Sequence, residues 1–164
     1  MTDLKIGFGT DIHVLEEGRD FILGGVKIPY EKGFKAHSDG DVLLHAVTDA
    51  IIGALGLGDI GGFFPDTDEK YKNADSAMLL AQIVKIMHEK GFEIVNADST
   101  IHAQRPKLAP FVNSIRQNTA KILNIPPENF NVKAKTGEGV DAVGEKLAVR
   151  TDCVVLLRKT SAGT

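Results

Sequence analysis

The sequence predicts an α+β fold, a single mixed sheet with helices packed on one face. Two observations carry that reading. Strand-like and helix-like periodicities follow one another in the order β-ββ-α-α-β-α-β-β, without strict βαβ alternation. No linker, internal repeat or low-complexity run divides the 164 residues, so 1–164 reads as one domain long enough to bury a core.

Each element has its own signal. Leu4 to Leu15 reads as a strand, and Phe21 to Ile28 as a hairpin turning near Gly24-Gly25. A helix is predicted from about Val42 to Leu55. Leu43, Val47, Ala50, Ile51 and Ala54 recur on one face, and Ser38, Asp39 and Asp41 all suit its N-terminal cap. Gly56 to Tyr71 reads as a loop. A second helix is expected from about Asp75 to Lys90, with Gly91 as its stop. Phe92 to Ala103 is strand-like. A third helix covers about Pro110 to Leu123 and cannot pass Ile125-Pro126-Pro127. Asn131 to Lys135 and Leu147 to Arg158 are the last strands.

Composition excludes several function classes. Hydrophobic residues at 43% and charged residues at 25% argue against global disorder. A net charge of -3 with scattered Lys and Arg gives no nucleic-acid stripe. The apolar runs fall short of the roughly 18 residues that span a bilayer. The Met1-Thr2-Asp3-Leu4-Lys5 start has no leader character, so a cytoplasmic location is expected. The single cysteine, Cys153, rules out an internal disulfide and a Cys-based zinc site. It lies in an apolar run and reads as a buried small hydrophobe.

Six blocks carry chemistry. Asp11-Ile12-His13 puts a carboxylate and an imidazole on one face of a strand, where both can reach one cation. His45, inside the first predicted helix, can join them as a third ligand. Three protein ligands with an open position is the pattern of a catalytic zinc site. Asp49, one turn on, is the local candidate for a carboxylate behind His45. His37-Ser38-Asp39-Gly40-Asp41 leads into that helix with amides and a hydroxyl suited to an anion. Gly58 to Asp68, with Asp59, Ile60, Gly61, Phe64, Pro65, Asp66 and Thr67, combines glycine amides and carboxylates for a polar or phosphorylated ligand. Ala103-Gln104-Arg105-Pro106-Lys107-Leu108-Ala109 and Lys133-Ala134-Lys135-Thr136-Gly137-Glu138 place cations and amides just after strands. They can grip a nucleotide diphosphate, with Glu138 holding a second metal on the phosphates. Alone, each block also reads blandly, as a solvated strand end, a helix cap, an ordinary turn or a basic loop.

Together, and in this order, the blocks resemble the 2-C-methyl-D-erythritol 2,4-cyclodiphosphate synthase family over nearly the whole chain. The matching stretches include Gly9-x-Asp11-x-His13, Ala36-His37-Ser38-Asp39-Gly40-Asp41-Val42, Leu44-His45-Ala46-x-Thr48-Asp49-Ala50, Phe64-Pro65-Asp66-Thr67-Asp68 and Ala103-Gln104-x-Pro106-Lys107. The resemblance implies a ferredoxin-like βαβ arrangement and a homotrimer whose sheets face the centre, with active sites between adjacent subunits. It implies Zn²⁺ on Asp11, His13 and His45, and Mg²⁺ or Mn²⁺ on the diphosphate with help from Glu138. The implied reaction converts 4-diphosphocytidyl-2-C-methyl-D-erythritol 2-phosphate to the cyclic diphosphate and releases CMP. His37 and Thr136 match the family's transition-state stabilisers. Asp11 to His13, His37-Ser38, Asp59 to Gly61 and Phe64 to Asp68 match the methylerythritol phosphate side. Ala103 to Ala109 and Lys135 to Glu138 match the cytidine diphosphate side.

One region departs from the family pattern. Ala142 stands near a usual Phe, and Gly144-Glu145 replaces Gly-Arg, in a stretch that lines the family's central cavity. A glutamate in place of that arginine repels an isoprenoid diphosphate. Two rival readings use the same blocks differently. A metal-dependent nucleotide-diphosphate hydrolase would activate water, and a non-catalytic trimeric module would bind without turnover.

Overall fold

The structure, a computed structural model, describes residues 3–160. Met1 and Thr2, part of the segment read for a leader, lie outside the described residues. The main sheet has five strands in the order β4-β1-β7-β5-β6. These are β1 (Leu4–Glu17), β4 (Lys32–Phe34), β5 (Phe92–His102), β6 (Phe130–Lys135) and β7 (Ala148–Lys159). Strand β1 runs antiparallel to β4 and β7, β7 antiparallel to β5, and β5 parallel to β6. The α+β mixed sheet is thus as expected. Its parallel pair is closed by the crossover helix α4 (Val112–Leu123), a βαβ unit.

The helices α1 (Val42–Leu55), α3 (Ser76–Glu89) and α4 cover one face of the sheet. Helix α1 is buried on nearly every side, because it is apolar all round and packs between β1, β7 and α3. Its start is fixed by the Asp41 carboxylate, which accepts from the Leu44 N–H at 3.1 Å. The same carboxylate accepts from the Gly24 and Gly25 N–H groups at 3.0 and 2.7 Å. It thereby pins the tip of the hairpin formed by β2 (Phe21–Leu23) and β3 (Val26–Ile28). That hairpin is a separate two-stranded ribbon beside the main sheet.

The approach of β1 to α1 decides the geometry of the site. A methyl group on Gly7 would stand 1.9 Å from the Ala50 carbonyl oxygen, and one on Gly9 would stand 2.0 Å from that of Ala46. Only glycine permits this approach. It brings the next two residues on the same face of β1, Asp11 and His13, against the first turn of α1.

Short elements differ from expectation. The stretch expected to be a loop contains α2 (Ile60–Phe63) and a 3-10 turn at Glu69–Tyr71. Each starts at an aspartate cap: Asp59 accepts from the Gly62 N–H and Asp68 from the Lys70 N–H, both at 3.0 Å. The third predicted helix opens as a 3-10 turn over Ala109–Phe111 before α4, with Pro110 in the first turn, where no N–H is needed. A short helix α5 (Asp141–Gly144) and strand β4 were not expected. Cys153 is buried as expected, and burial, with the Asp98 charge, pushes its thiol up to about 12. No helix among the described residues is long and apolar enough to cross a membrane.

Candidate active site

Asp11, His13 and His45 converge as their spacing suggested. His45 Nδ1 lies 3.1 Å from Asp11 Oδ2, and His13 Nε2 lies 3.5 Å from the same oxygen. One ligand atom from each of the three residues lies within 4.8 Å of the others. The His13 Nδ1–H donates to the Ile12 carbonyl at 2.7 Å. Nε2 therefore carries the lone pair, and it is buried without a hydrogen-bond partner. A buried, orphaned acceptor is costly unless something electrophilic meets it. Carboxylate and imidazole donors at this spacing suit a divalent metal.

His45 is held from both sides. Its Nε2 lies 2.8 Å from Ser76 Oγ and 3.3 Å from Ser38 Oγ. Ser76 is bound in turn by Asp39, which accepts from both its hydroxyl and its N–H. Burial opposes a protonated His45 ring. The Asp11 hydrogen bond and charge, with the Asp41 and Asp39 charges, outweigh that and raise its pKa. The surroundings of the ring thus call for positive charge. Asp41, fully buried, is itself pushed up to about 6 by burial, against the backbone N–H groups it accepts from.

Asp49 does not stand behind His45. Its carboxylate accepts from the Ile60 N–H at 3.0 Å and fixes the start of α2 instead. The four-residue step from His45 puts it on the same helix face, but the α2 segment captures it first.

A cavity of about 310 Å³ opens beside the triad. His37, Ser38, Ile60, Gly61, Phe64 and Asp66 line it, all expected on the methylerythritol phosphate side, and so do Lys35 and Tyr71, which sequence reasoning missed. His37 Nε2 lies 3.2 Å from the Asp68 carbonyl oxygen, tying the two loops together. The Arg19 guanidinium donates to the Phe34, Ala36 and Ser38 carbonyls at 3.1, 3.1 and 3.2 Å and fixes the loop that carries His37. Asp59 and Asp68 act as caps, while Pro65 and Thr67 are exposed in the turn between them. Ile12 points to the opposite, exposed face of β1, as alternation demands.

The two loops expected on the cytidine diphosphate side form a second cleft of about 600 Å³. Gln104, Arg105, Lys107 and Leu108 meet Lys135 and Thr136 there, with Ala103, Pro106 and Ala109 completing the wall. The Gln104 side chain accepts from the Gly137 N–H at 3.1 Å, which binds the two loops to each other. Glu138 follows in a tight turn, its N–H 3.3 Å from Thr136 Oγ1 and its φ at 51°. Within one chain, therefore, His37 and Thr136 line different cavities, and Glu138 lies outside the Asp11–His13–His45 cluster.

The pattern of the YgbB family matches residues 4–158. The chain belongs to the YgbB family. A 2-C-methyl-D-erythritol 2,4-cyclodiphosphate synthase of Fusobacterium nucleatum is 60% identical over 156 residues, covering 95% of this chain and 98% of that protein. Among solved structures, the bifunctional IspDF of Campylobacter jejuni aligns with a TM-score of 0.94 at 43% identity. That match covers 98% of this chain and 44% of the longer protein. The Plasmodium falciparum IspF in complex with CDP aligns with a TM-score of 0.84 at 36% identity, covering 98% and 99% of the two chains.

Within this YgbB-family chain, the residues that sequence reasoning missed share one property. Ser76 meets His45 across 31 residues of chain, and Lys35 and Tyr71 reach the cavity from segments with no motif of their own. The one local hint was the Asp75-Ser76 cap of α3, which marks a helix start and says nothing of a histidine above it.

Proposed function

We propose that this chain is a 2-C-methyl-D-erythritol 2,4-cyclodiphosphate synthase of non-mevalonate isoprenoid biosynthesis, a phosphorus–oxygen lyase acting in the cytoplasm. The observation that carries the reading is the buried Asp11–His13–His45 cluster, with its orphaned His13 Nε2, beside a cavity walled by His37 and Ser38. The relatives' names agree with it. In the reaction, an oxygen of the substrate's 2-phosphate bonds to the β-phosphorus of the diphosphate, and the bond from that phosphorus to the CMP oxygen breaks. No water is consumed. The nucleophile is already an anion, so the barrier lies in charge repulsion and alignment rather than in proton removal. Asp11, His13 and His45 would hold Zn²⁺ and Glu138 would help to hold Mg²⁺ or Mn²⁺, and these ions would supply positive charge to the phosphates. His37 and Thr136 donate to the oxygens that gain charge in transit, and the Asp59–Gly61 and Phe64–Asp68 segments seat the methylerythritol moiety. Arg105, Lys107 and Lys135 hold the cytidine diphosphate.

The separation of the two cavities on one chain supports a site completed by a neighbouring copy. We place the chain in a homotrimer with its sheets facing the centre. The exposed face of β1 and β7 supports this, because Ile6, Phe8, Ile12, Val14 and Val154 lie uncovered on it. The test is ³¹P NMR of the protein with the diphosphocytidyl substrate, with and without EDTA. CMP and a cyclic diphosphate, both lost on chelation, are expected. CMP with an acyclic product would mean hydrolysis, and an unreacted substrate with metal present would mean a binding module.

A further inference from the structure

The bonds behind His45 have a direction. Ser76 has one hydroxyl proton, and it is given to Asp39. Its oxygen is then left only as an acceptor toward His45 Nε2, 2.8 Å away. Nε2 thus has an acceptor for the ring proton, and with that proton in place Nδ1 can turn its lone pair to a cation shared with Asp11 and His13; without a cation, Nδ1–H can donate to Asp11 Oδ2 at 3.1 Å. Asp39 is well placed to hold this arrangement. It also accepts from the Ser76 N–H at 3.1 Å and the Asp41 N–H at 3.0 Å, so three donors fix one carboxylate. The Asp39 N–H itself donates to the Ala74 carbonyl at 3.1 Å, which closes the loop onto the start of α3. Ser38 Oγ, at 3.3 Å from Nε2, is the more distant of the two hydroxyls.

We infer that Ser76 and Asp39 are a positioning couple for the metal site: they fix the His45 tautomer that offers Nδ1 as a ligand. This rests on reading Asp11, His13 and His45 as a metal site. It goes beyond that reading by assigning a role to two residues outside the ligand set. An imidazole free to place its proton on either nitrogen is blocked as an Nδ1 ligand whenever the proton sits there, and it is also free to rotate. A hydroxyl backed by a carboxylate removes both freedoms. Partners of this kind behind a metal-binding histidine are worth about 10–100-fold in metal affinity.

The couple could instead be a staple between the His37–Asp41 loop and α3, and the test separates the two roles. Ser76→Ala, Asp39→Asn and the hydroxyl-retaining Ser76→Thr are compared with the wild-type chain. Zn²⁺ affinity is measured by competition with a chromophoric chelator at neutral pH. The nitrogen of His45 that keeps its proton is read by ¹⁵N NMR of the zinc-bound protein. Asp75 still caps α3 in Ser76→Ala, through the Ala77 N–H at 2.8 Å, so the helix has its start in every variant at position 76. The expected result is an Nε2-protonated ring in the zinc-bound wild type and a Zn²⁺ dissociation constant raised about 10–100-fold in Ser76→Ala and Asp39→Asn. Ser76→Thr should recover most of the affinity. Wild-type affinity in both Ser76→Ala and Asp39→Asn, an Nδ1-protonated ring in the zinc-bound wild type, or a wild-type chain that binds no zinc would each overturn the inference. A chain that binds zinc tightly, loses it in these variants and makes no cyclic product would uphold the inference and refute the proposed reaction.

Discussion

Asp41 shows how one side chain can serve structure at an electrostatic cost. It is fully buried, accepts three backbone N–H groups and joins the hairpin tip to the start of α1. Burial nevertheless dominates its ionisation and raises its pKa from the usual 3.8 to about 6. Between those two values the unfolded chain has lost a proton that the folded chain still holds. Stability must therefore fall as pH rises from about 4 to about 6 and level off above that, by an amount on the order of 2–3 kcal/mol. Chemical denaturation of the wild type and Asp41→Asn across this range should show that slope in the wild type alone. Parallel pH profiles would refute it. The meeting of Asp11 and His13 was legible at this scale for a simple reason. Asp11 and His13 are two residues apart on a strand, and a period of two puts them on one face. Ser76 was not legible, because its bond to His45 is made by tertiary packing and leaves no trace in local spacing.

Long elements were legible where periodicity had room to accumulate. Strand β1 and the helices α1 and α3 match their predicted spans to within two residues or so at each end. The strand β4, of three residues, and helices α2 and α5, of four, are too short for any periodic signal. The Asp59 cap starts α2, the Asp141 carboxylate accepts from the Val143 N–H in the first turn of α5, and pairing with the end of β1 makes β4; all three depend on what stands nearby. The glycines of β1 are an intermediate case. Gly7 and Gly9 alternate on one face, which the sequence displays, but the helix backbone they admit is visible only in three dimensions. Gly9→Ala should therefore destabilise the chain by about 3 kcal/mol or more, since the new methyl meets the backbone of α1 rather than a side chain that can turn away. Thermal unfolding with and without zinc checks this. A variant that keeps both its stability and its zinc affinity would show that β1 and α1 can part without disturbing Asp11 and His13.

At the scale of the whole molecule, the outward face of the sheet and the split site belong to the same problem. Beside its exposed apolar residues that face carries a polar network, in which Asp152 accepts from Thr10 at 2.8 Å and Arg150 at 2.7 Å and meets His102 at 3.0 Å. A wholly polar exterior would carry no such mixture, and an apolar face with a satisfied polar centre suits burial between copies. The metal-side cavity and the nucleotide-side cleft would then be joined by the neighbour across that interface. The proposed trimer has no local pattern in the sequence and rests on the family resemblance. Subunit complementation tests it most directly. His45→Ala and Thr136→Val chains, each expected to be inactive alone, are unfolded together and refolded into mixed oligomers. If each site takes His45 from one copy and Thr136 from the next, random mixing restores about a quarter of the wild-type activity. If the mixture is as inactive as its components, both residues serve a site within a single chain, and the proposed assembly is wrong.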